Sequence, residues 1–153
     1  MATGKHARAR VGNLNRLAHI SGRDGEIMFR ILLAEDERGM REYLTRALER
    51  SGYAVTAVDR GTAAIPLLEA EQFDLLLSDI VMPEMDGIEL AQRAGEMAPD
   101  MRVMFITGFA AVTLRAGESL PNARVLSKPF HLRELVAEVD RMFEHEAAPG
   151  GRQ

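Results

Sequence analysis

Ile31-Leu32-Leu33-Ala34-Glu35-Asp36 is an apolar run that ends in two acids. Leu75-Leu76-Leu77-Ser78-Asp79 repeats the design, three leucines and then an acid after one serine. Neither run has a polar face. A strand of that kind needs cover on both sides, which predicts a parallel sheet between two helix layers.

Reading outward, the stretches between the strands carry helical spacing. Residues 37 to 50 put Met40, Leu44, Ala47 and Leu48 on one face, with Gly52 placed to end the helix. Ala54 to Val58 reads as the second strand. Residues 61 to 71 form a weaker helix, in which Pro66 favours the first turn or a kink. Asp86-Gly87 starts a third helix, Val103 to Ile106 is the fourth strand, and residues 110 to 117 make a short fourth helix. Arg124 to Ser127 is the fifth strand. Leu132, Leu135, Val136, Val139, Met142 and Phe143 then mark the last helix with an apolar stripe.

The expectation is an α/β fold of (βα)5 type, a doubly wound five-stranded parallel sheet of the flavodoxin/CheY-like kind. Residues 28 to 145 are expected to form the folded domain. Residues 1 to 27 are expected to be a disordered extension or an upstream misreading of the start, with Met28 the true beginning. Residues 146 to 153 read as a flexible tail.

Composition narrows the function. The chain has 153 residues, is 46% hydrophobic and 27% charged, and contains no cysteine. Thiolate metal sites, disulfides and cysteine nucleophiles are excluded. The net charge is -4; residues 1 to 27 carry five Lys/Arg against two acids, a surplus of +3, which leaves -7 on the remainder. An acidic body argues against nucleic acid as the partner. No apolar stretch approaches the roughly 20 residues that span a bilayer, so no membrane role and a cytoplasmic location are expected. The four histidines, His6, His19, His131 and His145, show no metal-binding spacing.

In a doubly wound sheet, ligands sit beyond the carboxyl ends of the strands. The residues there are Glu35-Asp36, Asp79, Thr107-Gly108 and Lys128-Pro129. Three carboxylates repel unless a cation joins them, and an all-oxygen set suits a hard ion such as Mg2+. A carboxylate nucleophile, a cation, a lysine and a hydroxyl together suit phosphoryl transfer. Each group also has an ordinary reading: Glu35 and Asp36 as helix-start acids, Asp79 and Thr107 as turn residues, Lys128 as a surface lysine. Asp86-Gly87 is read only as a helix start.

The stretches Ile31 to Asp36, Ser78 to Gly87, Ile106 to Gly108 and Ser127 to Phe130 resemble the receiver domains of bacterial response regulators. The resemblance implies that Asp79 is the phosphoacceptor. It implies Mg2+ held by Asp36, Asp79 and the backbone carbonyl of Val81, with Glu35 acting mainly through water. It implies that Thr107 is a switch hydroxyl, that Lys128 pairs with the phosphoryl group, and that the Lys128-Pro129 bond is cis. The donor would be a phosphohistidine on a histidine kinase or histidine phosphotransfer protein. One departure is Val125, where many members carry an aromatic switch residue. Phe109 stands as a bulky neighbour, read as packing.

Among single-domain receivers the wording is similar to the CpdR-like cell-cycle regulators. That resemblance implies an adaptor that primes the ClpX unfoldase of the ClpXP protease when unphosphorylated. Phosphorylation is expected to move the face from the fourth strand to the last helix, so the partner surface is expected there, including residues 110 to 117, or on the neighbouring first-helix face. The rival within the family is a phosphate sink or kinase-binding shuttle. A haloacid-dehalogenase-type phosphatase would need a second Asp where Val81 stands. An FMN protein would not place Glu35-Asp36 against phosphate.

Overall fold

Strand residues alternate between two separate cores. In the computed structural model, residues 28–108, 120 and 122–147 are described. Strand β1 is Arg30–Ala34, followed by α1 (Arg38–Arg50), β2 (Ala54–Val58), α2 (Gly61–Ala70), β3 (Leu75–Asp79), α3 (Gly87–Met97), β4 (Arg102–Thr107), β5 (Arg124–Ser127) and α4 (Leu132–Ala147). Ile31, Leu33, Leu75, Leu77, Met104 and Ile106 face α1 and α4, meeting Leu44, Leu48, Leu135, Val139 and Phe143. Leu32, Ala34, Leu76 and Phe105 face the other way, meeting Ala64 and Leu68 of α2 and Ile88, Ala91 and Ala94 of α3. The two-residue period of a strand sends successive side chains to opposite faces, so both faces need a helix layer. Each fully buried leucine or isoleucine contributes about 2 kcal/mol through loss of apolar surface from water.

All strand pairs are parallel, in the order β2-β1-β3-β4-β5. The order reverses between β1 and β3, and the crevice opens there. Leu33 pairs with Leu77 and Ala34 with Ser78, so the residues just beyond β1 lie beside the end of β3. Asp79 pairs with Ile106, and Thr107 with Ser127. Four strand ends thus line up along one edge.

Local chemistry closes α1 and α3. The Glu37 side chain accepts the Met40 N–H at 2.7 Å and caps α1. Gly52, at φ 98°, ends that turn in the left-handed region and brings the Tyr53 N–H to the Leu48 carbonyl at 3.1 Å. Asp86 caps α3 by accepting the Glu89 N–H at 2.8 Å. Pro66 lies inside α2 rather than in its first turn, one turn further on than its missing N–H would favour. Its ring is exposed, so the proline removes one helical hydrogen bond without disturbing the core.

The short helix expected at 110 to 117, Phe109, residues 1 to 27 and the end of the tail lie outside the described residues. Four helices are therefore described. The last extends to Ala147, two residues into the stretch expected to be a tail. No helix among the described residues is long and apolar enough to cross a membrane.

Candidate functional site

Glu35 leaves β1 with its side chain only 1% exposed. Its N–H donates to the Val58 carbonyl at 3.1 Å, and its Oε2 accepts the Glu37 N–H at 3.0 Å. Its Oε1 is buried, with no hydrogen-bond partner among the described residues. Asp36 follows and is exposed. Asp79, 7% exposed, closes β3. One carboxylate oxygen from each of Glu35, Asp36 and Asp79 lies within 4.8 Å of the others.

Lys128 reaches this cluster from the far side of the sheet. Its Nζ stands 3.4 Å from Asp79 Oδ2 and 3.9 Å from Glu35 Oε1. The Lys128 N–H donates to the Thr107 carbonyl at 2.8 Å, which ties the ends of β4 and β5 together. The Lys128-Pro129 peptide is cis, as the resemblance implied. Thr107 is buried at the end of β4, one residue past the ladder partner of Asp79. Val81, two residues past Asp79, exposes its side chain at the mouth, and its N–H donates to the Asp79 carboxylate.

The electrostatics follow from burial. Desolvation pushes the Glu35 carboxyl above the usual carboxylate range; the Glu37 amide opposes this and the Asp79 charge adds to it. Desolvation also raises Asp79, against the charge and hydrogen bond of Lys128, while the Asp36 charge adds to the rise. Three acids with one lysine leave surplus negative charge, and Glu35 Oε1 is a buried acceptor with nothing among the described residues donating to it. Oxygen-only donors in this arrangement suit a hard divalent cation, so the cluster is compatible with Mg2+.

Of the residues singled out in the sequence, Glu35, Asp36, Asp79 and Lys128 come together directly, and Thr107 flanks them. Three neighbours were not legible beforehand. Ser78 Oγ donates to the Asp79 carbonyl at 2.8 Å. Gly87 approaches that same carbonyl so closely that a Cβ there would stand 2.2 Å from the oxygen. Arg41 Nη1 donates to the Glu35 carbonyl at 3.0 Å. Arg41 carries no periodic signal; it reaches back because helical side chains lean toward the N-terminus.

A parallel sheet of this order, with an acid triad and a lysine at its carboxyl edge, defines a class, and the chain belongs to the response regulator receiver domain family, whose model matches residues 31–140. It is 60% identical over 116 residues to the response regulator receiver protein CpdR of Brucella abortus (strain 2308), covering 75% of this chain and 97% of that protein. It is 39% identical over 119 residues to the transcriptional regulatory protein TctD of Salmonella typhimurium (strain SL1344), covering 77% of this chain but 53% of that longer protein. Among solved structures it is similar to a response regulator receiver protein from Sinorhizobium medicae WSM419, with a TM-score of 0.71, 31% identity, and coverage of 78% of this chain and 97% of that one.

Proposed function

We propose that Asp79 accepts a phosphoryl group from a phosphohistidine on a histidine kinase or histidine phosphotransfer protein. The observation that carries this reading is the packing of Asp79 against Glu35, Asp36 and Lys128 at the switch in strand order. An Asp79 carboxylate oxygen attacks phosphorus. A P–O bond forms as the P–N bond breaks, and the electron pair of that bond stays on the imidazole nitrogen. Later attack by water returns the carboxylate and frees inorganic phosphate.

The residues have separate tasks. Asp36, Asp79 and the backbone carbonyl of Val81 would hold Mg2+, with Glu35 acting through water, and the ion when bound offsets the carboxylate repulsion and the charge on the phosphoryl oxygens. Lys128, already 3.4 Å from Asp79 Oδ2, pairs with a phosphoryl oxygen after transfer. Thr107 supplies a hydroxyl from the end of β4. Phosphorylation adds about one to one and a half negative charges and new acceptor oxygens, which draw Thr107 and Lys128 inward. Val125 is half-buried and packs with the core beneath α2 and α3, so this movement is relayed without an aromatic ring on β5.

The output is protein binding. The likeness to CpdR supports a cell-cycle role in which the unphosphorylated protein binds the ClpX unfoldase as an adaptor for ClpXP. The outer face of α1 is one candidate surface: Tyr43 is 55% exposed there, one helical turn from exposed Arg46.

Two measurements test these readings in turn. Incubation with a small-molecule phosphodonor and Mg2+ should add one phosphoryl group to the wild type and none to Asp79→Ala, read by intact mass. Labelling of both, or of neither beside a labelled control receiver, rejects Asp79 as phosphoacceptor. Immobilised ClpX should then retain the unphosphorylated form and release the phosphorylated one. No retention of either form would favour the phosphate sink or shuttle.

A further inference from the structure

Asp36 is the exposed acid of the triad, so burial does not aim its carboxylate. The backbone does. A peptide unit is planar, so fixing its carbonyl or its N–H fixes the whole unit. The unit before Asp36 carries the Glu35 carbonyl, which accepts from Arg41 Nη1 at 3.0 Å. The unit after Asp36 carries the Glu37 N–H, which donates to Glu35 Oε2 at 3.0 Å. The Glu35 N–H is anchored in turn on the Val58 carbonyl at 3.1 Å. Both planes flanking Asp36 are therefore held, one by an arginine side chain from α1.

We propose that Arg41 is a positioning residue for the cation pocket: by gripping the Glu35–Asp36 peptide it sets the direction of the Asp36 carboxylate. This rests on the reading of the acid triad as a divalent-cation site. Arg41 is half-buried, and its Nη1 sits beside a backbone oxygen, with no ion pair to a triad carboxylate among the described residues. Its contribution is geometric.

The sign of the effect separates this from simple electrostatics. A guanidinium near an acidic pocket repels an incoming cation. If charge were all that mattered, removing it would tighten cation binding. Loss of the grip does the reverse, because groups that orient a metal ligand typically change affinity by about 10–100-fold.

The test is a Mg2+ titration followed by backbone amide chemical shifts. It compares wild type, Arg41→Met, Arg41→Lys and Asp36→Ala, each also melted without metal. The expected result is a Kd raised on the order of tenfold in Arg41→Met. Arg41→Lys should fall between, since an ammonium can donate one bond but lacks the planar fork. The metal-free melts of the two Arg41 variants should stay near that of the wild type. Equal or tighter binding by Arg41→Met overturns the proposal. If Arg41→Met does not fold, Arg41→Lys decides: a Kd no weaker than that of the wild type overturns the proposal. A wild type that behaves like Asp36→Ala overturns the cation reading itself, and the proposal with it.

Discussion

Asp79 stands between a cation and an anion that pull its proton affinity in opposite directions. Burial raises it first; Lys128 lowers it and Asp36 raises it. Two substitutions should therefore move the same group in opposite senses. Without metal, Lys128→Met removes the opposing charge, and Asp79 should titrate at higher pH than in the wild type. Asp36→Asn removes a like charge, and Asp79 should titrate lower. Carboxyl-carbon NMR of labelled aspartate reads both. Shifts of the same sign in the two variants would show that the neighbours act through a changed fold rather than through charge. The lysine is also the group that sequence alone treats most ambiguously. Before a proline at the end of a short strand it looks like any surface lysine, and only the ladder between β4 and β5 brings its Nζ within reach of Asp79.

At the scale of elements, the start of α3 is where site and scaffold meet. The Gly87 N–H donates to the Ile80 carbonyl at 2.8 Å, and its Cα lies against the Asp79 carbonyl, which also accepts from Ser78. A methyl group at Gly87 would stand 2.2 Å from that oxygen, and backbone must move to relieve it. Gly87→Ala should cost about 1–3 kcal/mol, the usual range for overpacking, and should slow phosphorylation because the displaced backbone is that of Asp79. Asp86→Ala removes only the cap and should cost about 1 kcal/mol with little change in phosphorylation. Urea melts and intact-mass time courses on the two variants distinguish the effects. If Gly87→Ala were as mild as Asp86→Ala, the close approach would not constrain the site. The strands and α1, α3 and α4 were legible because apolar runs and 3.6-residue stripes are written locally. The place of Pro66 in α2 was not, because an exposed ring can sit past the first turn at the cost of one hydrogen bond. The acids were legible as strand-end residues. The grips of Ser78, Gly87 and Arg41 were not, since each acts on a backbone oxygen whose direction depends on the packed fold.

For the molecule as a whole, the acid cluster makes stability depend jointly on pH and divalent cation. The carboxyls of Glu35 and Asp79 are both raised in the folded protein, chiefly by burial. A raised folded value means that folding favours the protonated form. The associated stability is fully present below the unfolded carboxylate range of about 4 and is lost as pH rises through the higher folded values. The metal-free protein should therefore give up stability through this site as pH rises above about 4. A divalent cation reverses the sign, because it binds the charged carboxylates of the folded state. Saturating Mg2+ should raise the melting temperature clearly near pH 7.5 and less near pH 4.5, where the raised Glu35 and Asp79 carboxyls hold protons more readily. Asp36→Ala should flatten that difference by removing a proposed direct ligand. Melts at the two pH values, with Mg2+ and with a chelator, decide the matter. An equal Mg2+ effect at both would place cation binding elsewhere on this acidic surface and detach it from Asp79.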